Sequence, residues 1–579
     1  MALSECHSRL TPFFHAIQDI SVTTPDWTVL CLYLAGTAFV GVFLGRFVKD
    51  SSDMFSAGGQ SPWWISGLSS YMTMFSANTF VVWGGIAYEH GLVAVSINLC
   101  YSVAAIAVGF TVAGRWKKMG IATPAEYIER RFGRSALYFY TWFMMSYRIV
   151  GTGGALYAIA RLTLAVIGGR EGGLSGAELN ILILIFAVIV VAYTMIGGLW
   201  AVLMTDTLQF IILNLAVLFV IPLSLARTGG FDNFLEKAPE GFLAATSDKY
   251  TFLFLVGWVA IHYFMIGAEW AFVQRYLCVP SPKDARKSTF LFGGLYLFSP
   301  LLWLLPPLLW RVQQPIPVEA DAETVTHMAE TAYILSCKAV LPVGMLGLML
   351  AALFSATASM ISSQLNVFSG VLTENIYKPL AGNPTEKRML YMGRIFTCIL
   401  GIVVVGIAIA TPYVGGAAQM IITITQLMVT PLLAPTLLAL FVPRLGISTV
   451  WATIGLCFPL GLLAKFTDIL TNTWLADITV TGVILPLVVI AVMVLFSRKE
   501  APGWSVICDL TSEESERAHQ QSSPVPARIV SSSLAICSAT LFGLIPFNEI
   551  NRDMLAGFGV GLLLLAALIW QLSRMLNQK

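Results

Sequence analysis

Four serines, Ser355, Ser359, Ser362 and Ser363, recur at i, i+4, i+7 and i+8 in the stretch SATASMISSQLN. That spacing puts their hydroxyls on one face of a helix, with Leu353, Met360, Ile361 and Leu365 opposite. Such a row can bond back to its own backbone or pack against small neighbours. It can also line a path for a hard cation, which takes oxygen ligands. Spacing alone leaves both readings open.

Two charged residues bear on the choice. Asp206, in GGLWAVLMTDTLQF, begins or sits inside another apolar run. A carboxylate there is costly unless water, a cation or a partner answers it. An anion and a hydroxyl stripe in one bundle are the ingredients of a cation site. Arg148, in MMSYRIVGTGG, lies deep in a third run. It is expected to pair with Glu269 or Asp206, or to hold an anionic group of a solute.

The elements that must position these residues are membrane helices. Of 579 residues, 57% are hydrophobic and 11% charged, against about 25% charged in soluble domains. The chain therefore reads as an all-α polytopic membrane protein. A net charge of +2 without a basic stripe argues against nucleic acid, leaving membrane lipid and a small-molecule solute as partners. Oligomeric state is not legible. The nine cysteines are scattered singly, and are expected to be small apolar packers rather than disulfide or zinc ligands. The N-terminus lacks the basic start and apolar run of a cleavable signal peptide.

Apolar stretches of roughly 20 residues suggest about fifteen transmembrane helices between residues 27 and 573. Lys and Arg are about three times as frequent on one set of connecting segments as on the other, and these basic clusters include Arg130, Arg131 and Arg275. That bias places the N-terminus outside and the C-terminus in the cytoplasm of the cell (plasma or inner) membrane. The longest gaps, 227–251, 311–338 and 497–528, are too short for a soluble domain, and the last reads as a polar cytoplasmic linker.

Two spans look broken. SSYMTMFSANTF (69–80) carries six Ser, Thr or Asn, and WVAIHYFMIGAEWAF (258–272) carries His262, Gly267 and Glu269. Unwound backbone at membrane depth is tolerated where it lines a cavity and binds something. The two segments open corresponding sets of five spans, which predicts an inverted five-plus-five repeat with discontinuous helices. The expected divisions are 1–62 with a peripheral first helix, repeats over 63–226 and 252–442, and accessory helices over 447–579.

ATPAEYIERRFG (122–133), YTMIGGLWAVLMTDTLQ (193–209), VQRYL (273–277) and GLMLAALFSATASM with LTENIYK (347–378) together resemble the sodium/solute symporter family, near its sodium/glucose branch. The resemblance implies a ten-helix core working by alternating access, with Na+ as coupling ion. It puts a principal sodium site on the backbone carbonyls of Met72, Phe75 and Ala356 with Ser359. The next family position, ordinarily a hydroxyl, is Met360 here, and a thioether is a poor Na+ ligand. A further site implied by some members uses Asp206, Ser359, Ser362 and Ser363, all present, so the cation is expected to lean on that set. For the solute, the sugar branch's amide, stacking aromatic and lysine fall on His262, Met265 and Tyr296. Thr79, Asn78, Trp83, Asn98, Glu269 and Gln426 complete the candidate solute contacts.

The expected function is Na+-coupled symport of a small organic solute, a sugar first. A proton-coupled or uncoupled carrier is the alternative, given Met360, His262 and Asp206. An enzyme is not expected, since neither H-E-x-x-H nor G-x-S-x-G occurs. A sensor would need an appended signalling domain, and only six residues follow residue 573.

Overall fold

Apolar runs in a medium that offers the backbone no hydrogen bonds must satisfy their own amides, and helices do this locally. The structure, a computed structural model, describes residues 23–168, 176–382, 384–413, 417–466, 479–513, 525–547 and 552–576, and its regular elements are helices with no strand among these residues. Seven helices are long and apolar enough to cross a membrane, and an eighth if the bent pair Phe252–Ala268 and Trp270–Leu277 is one span. Other expected spans also form helices, including Thr24–Leu44, Arg134–Gly168, Ala417–Leu438 and Val525–Leu544.

Several boundaries differ from the sequence reading. The expected spans 179–196 and 200–226 are one element, Gly176–Thr228, interrupted at Gly198. Gly198 has φ 54°, and a Cβ there would lie 2.6 Å from the Met54 carbonyl oxygen, so chain crossing and backbone conformation both call for glycine. The gap 311–338 holds the helix Ala322–Val340, started by Asp321, whose carboxylate accepts from the Thr324 amide at 3.1 Å. The linker 497–528 holds a helix at Trp504–Glu513. Three cysteines are not buried packers, since Cys31, Cys398 and Cys508 are exposed. Cys31 and Cys398 lie on long apolar helices, where an exposed thiol costs little, and Cys508 lies on the linker helix Trp504–Glu513.

The serine-bearing helix, Met345–Val371, is the core of the molecule. Its apolar window is 94% buried, against 22% for the C-terminal helix window Arg552–Gln571, so the first is central and the second peripheral. It packs against Gly176–Thr228, Thr24–Leu44, Arg134–Gly168 and the broken helix Trp63–Thr73. Its start is tied to the first helix by the Gly347 amide, which donates to Asp26 Oδ1 at 3.0 Å. Arg131, counted above with the basic segments, is buried. Its guanidinium donates to the carbonyls of Ala439, Val442, Pro443 and Leu445, which cap the chain just beyond Ala417–Leu438.

Candidate functional site

Both suspected breaks are present, and each has a local cause. In the first, Trp63–Thr73 ends in tight turns, with the Phe75 amide donating to Met72 O at 3.0 Å. The chain resumes in a wide turn at Thr79–Trp83 and then Gly84–His90. Thr79 Oγ1 accepts from the Ser76 amide at 3.1 Å, and Thr357 Oγ1, on the serine-bearing helix, accepts from the Ala77 amide at 2.9 Å. In the second, Phe252–Ala268 stops at Glu269, whose backbone is extended, and Trp270–Leu277 leaves at 51°. The carbonyls this frees are claimed by side chains: Trp116 Nε1 donates to Gly267 O at 2.7 Å and the Tyr276 hydroxyl to Ile266 O at 2.8 Å.

Asp206 is fully buried in Gly176–Thr228. Its Oδ2 accepts from the Ser69 hydroxyl and lies 3.6 Å from Nη2 of Arg275. Arg275 is itself fully buried, and also donates to Ser69 Oγ at 3.1 Å and to Ser363 Oγ. The buried Ser359 hydroxyl faces this same carboxylate, whose other oxygen, Asp206 Oδ1, lacks a hydrogen bond within 3.5 Å. Two buried hard oxygens, one charged, thus face each other without a close hydrogen bond. Such a pair is costly in a dry interior and suits a small cation.

The four serines do not act as one ladder. Ser359 and Ser363 meet the Asp206 and Arg275 cluster, and Ser362 donates to Ser359 O at 3.1 Å. Ser355 instead pairs with the Tyr33 hydroxyl at 2.5 Å and donates to Ala351 O at 2.6 Å. Met72, Phe75 and Ala356 are fully buried on the first broken helix and the serine-bearing helix, which pack together. Met360 is half-buried. Among the described residues no cluster of three or more His, Cys, Asp or Glu could hold a metal ion, so the available donors are hydroxyls, carbonyls and one carboxylate.

The candidate solute residues divide into three groups. Trp83, His262 and Tyr296 join one aromatic cluster around Tyr101, with ring centroids 6.5, 4.1 and 5.2 Å from it. Tyr296 continues this cluster to Tyr71 and Phe75 on the first broken helix, at 4.9 and 6.0 Å. His262 Nδ1 is hydrogen-bonded to Trp258 O at 2.8 Å, its own preceding turn. Asn98 is likewise turned back, to Ala94 O at 2.8 Å, while Asn78 is half-buried and Met265 buried. Glu269 is committed elsewhere. It is fully buried and pairs with Arg148, Nε to Oε1 3.4 Å, which answers the question of that arginine's partner. Gln426 lies in Ala417–Leu438, but its side chain falls outside the described residues.

Sequence reasoning missed four residues here: Arg275, Ser69, Thr357 and Trp116. Arg275 followed an apolar run and was grouped with the cytoplasmic charges, yet its guanidinium joins Asp206, Ser69 and Ser363.

The comparisons with known proteins agree with this architecture. Residues 54–454 match the sodium:solute symporter family. The sodium/glucose cotransporter of Vibrio parahaemolyticus is 27% identical over 479 residues, 76% of this chain and 85% of that protein. The sodium/sialic acid symporter NanT of Aliivibrio fischeri is 25% identical over 395 residues, 66% of this chain and 75% of that one. In fold, the chain is similar to a substrate-bound, outward-open Na+-coupled sialic acid symporter, with a TM-score of 0.69 and 22% identity over 82% of this chain and 98% of that one. A more distant likeness is to the nucleobase-cation-symport-1 family transporter MHP1, TM-score 0.51, 13% identical, over 80% of this chain and 100% of that one. With a family match across most of its length and a dry carboxylate and hydroxyl pair at its centre, the chain belongs to the sodium:solute symporter family, whose coupling ion is sodium.

Proposed function

We propose that this protein couples Na+ entry to uptake of a small organic solute, a sugar or sugar acid first, by alternating access in the cell membrane. The observation that carries the reading is the pair Asp206 Oδ1 and Ser359 Oγ, buried together with no close hydrogen bond to either atom. Na+ binds there with Ser362 beside it. Ser363 is shared with Arg275, and the carbonyls of Met72, Phe75 and Ala356 form a second, weaker site toward the first break. The solute sits against the aromatic cluster of Trp83, Tyr101, His262 and Tyr296, where stacking suits a pyranose ring. The repeats over 63–226 and 252–442 then rock about this region, with the N-terminus outside and the C-terminus in the cytoplasm.

The sugar assignment draws its support from the sodium/glucose and sodium/sialic acid relatives together with that cluster. One observation favours a proton-coupled reading: Arg275 already brings a positive charge to Asp206 Oδ2. A single measurement separates the two. Purified protein in vesicles is first screened for thermal stabilisation by sugars, sugar acids and amino acids, with and without Na+. Uptake of the solute found is then measured with Na+ replaced by K+ at several pH values. Uptake that collapses without Na+ at every pH is the expected result, and uptake indifferent to Na+ but driven by a pH gradient overturns it.

A further inference from the structure

Away from the ion site, a cavity of about 520 Å³ lies between Thr24–Leu44, Gly176–Thr228 and the C-terminal helices Val525–Leu544 and Arg552–Leu576. Its rim residues Leu32, Phe39 and Ile536 are exposed, so the trough opens sideways to the bilayer. Its few hydroxyls are already spent. Thr37 donates to Tyr33 O, Ser532 to Arg528 O and Thr540 to Ile536 O, while the Tyr33 hydroxyl is held by Ser355. What remains for a ligand is apolar wall, which excludes a polar solute and suits a hydrocarbon chain.

One end of the trough is different. Leu544 packs against Gly344, three residues before Gly347, which is bonded to Asp26. The end of Val525–Leu544 therefore lies beside the start of Thr24–Leu44, and the two helices run in opposite directions. Arg528 and Phe43, both lining the trough, then fall at its other end. Arg46 joins them, its guanidinium 5.1 Å from the Phe43 ring. Among the described residues neither arginine forms an ion pair. In the orientation proposed above, this end faces the cytoplasm.

We propose that the trough is a binding site for one anionic membrane phospholipid, its headgroup phosphate between Arg46 and Arg528 and an acyl chain along the wall. Basic pockets between transmembrane helices on the cytoplasmic side are the pattern by which such headgroups are held. The dimensions agree. From Phe43 to Val29 the helix rises about 21 Å at ~1.5 Å per residue, and half of a ~30 Å hydrocarbon core is about 15 Å. A chain anchored at the arginines thus reaches past the midplane without leaving the trough. The wall includes Leu208 and Ile212, on the helix that carries Asp206, and Leu348, on the helix that carries Ser359. The lipid therefore packs against the back of both ion-site helices.

The test uses the full chain purified in detergent, with bound lipid read by native mass spectrometry after incubation with equal phosphatidylglycerol and phosphatidylcholine. Wild type retains one phosphatidylglycerol in preference. The preference falls about fivefold for each of Arg46→Gln and Arg528→Gln. Gly36 borders the trough, and a Cβ there meets nothing within 4 Å. Gly36→Phe therefore projects a ring into the trough from an unobstructed Cβ and loses both lipids, while its thermal midpoint without added lipid stays near wild type. Equal retention of the two lipids by wild type overturns the proposal, as does phosphatidylglycerol retention unchanged in all three variants. A protein adduct in place of lipid, or lipid retained only after deletion of residues 1–22, assigns the trough to another occupant and overturns it too. Binding is read without transport, so failure of the symport reading leaves this result intact.

Discussion

At the scale of single residues, the serine helix separates two jobs that its periodicity makes look alike. Ser355 and Ser359 are four apart and nearly superposed in helical projection, yet Ser355 meets Tyr33 on the first helix while Ser359 meets Asp206. Substituting Ser359→Ala removes a neutral oxygen from the proposed sodium site, a loss on the order of 1.4 kcal/mol, within the usual range for a polar contact, so the Na+ concentration for half-maximal thermal stabilisation is expected to rise about tenfold. Ser355→Ala leaves that concentration unchanged and lowers stability by about 1 kcal/mol through the lost Tyr33 bond. Equal sodium dependence in the two variants would exclude Ser359 as a ligand. The stripe and Asp206 were legible in the sequence because period and charge are local properties. Arg275 was not, because a cation after an apolar run reads as a loop charge until the fold shows it at 3.6 Å from a carboxylate. Ser355's different neighbour was illegible for the same reason, since Tyr33 lies more than three hundred residues away.

At the scale of elements, the two breaks were legible from clustered Ser, Thr, Asn, Gly and Glu, but what holds them was not. The second break is pinned to Arg134–Gly168 by Arg148 and Glu269, both withdrawn from water at the point where the helix turns 51°. Removing one partner strands a charge in a dry bundle, a loss of about 3–5 kcal/mol, whereas replacing both with apolar or neutral groups of similar size is close to neutral. Arg148→Met and Glu269→Gln should therefore each lower the thermal midpoint sharply, and the double variant should recover most of it. Measured as a double-mutant cycle, additive losses would show that the two side chains do not act on each other. The first break offers a smaller test. Thr357→Val leaves the Ala77 amide without its acceptor and is expected to cost about 1–3 kcal/mol, read as lower stability with the sodium dependence intact.

For the whole molecule, the burial gradient is the link between architecture and coupling. The helix holding Ser359 is almost entirely enclosed while the C-terminal helix lies largely on the surface, so an ion at the proposed Asp206 site would exchange with water only when surrounding helices move apart. Coupling of this kind has an energetic ceiling set by the number of ions carried. One Na+ gains about 2.3 kcal/mol from 100 mV and about 1.4 kcal/mol from a tenfold gradient, together sufficient for accumulation of a few hundredfold. In vesicles holding a tenfold Na+ gradient with the potential clamped at zero, one ion per solute limits accumulation of an uncharged solute to about tenfold, and two ions to about a hundredfold. The proposed geometry has one site with a full negative charge, at Asp206, and a second built of neutral carbonyls with Met360 where a hydroxyl ligand is ordinarily found. The plateau is therefore expected near tenfold in wild type and near onefold in Asp206→Asn. A hundredfold plateau would mean that the carbonyls of Met72, Phe75 and Ala356 carry a second sodium without that hydroxyl. A wild-type plateau retained by Asp206→Asn would move the driving ion away from the buried carboxylate altogether.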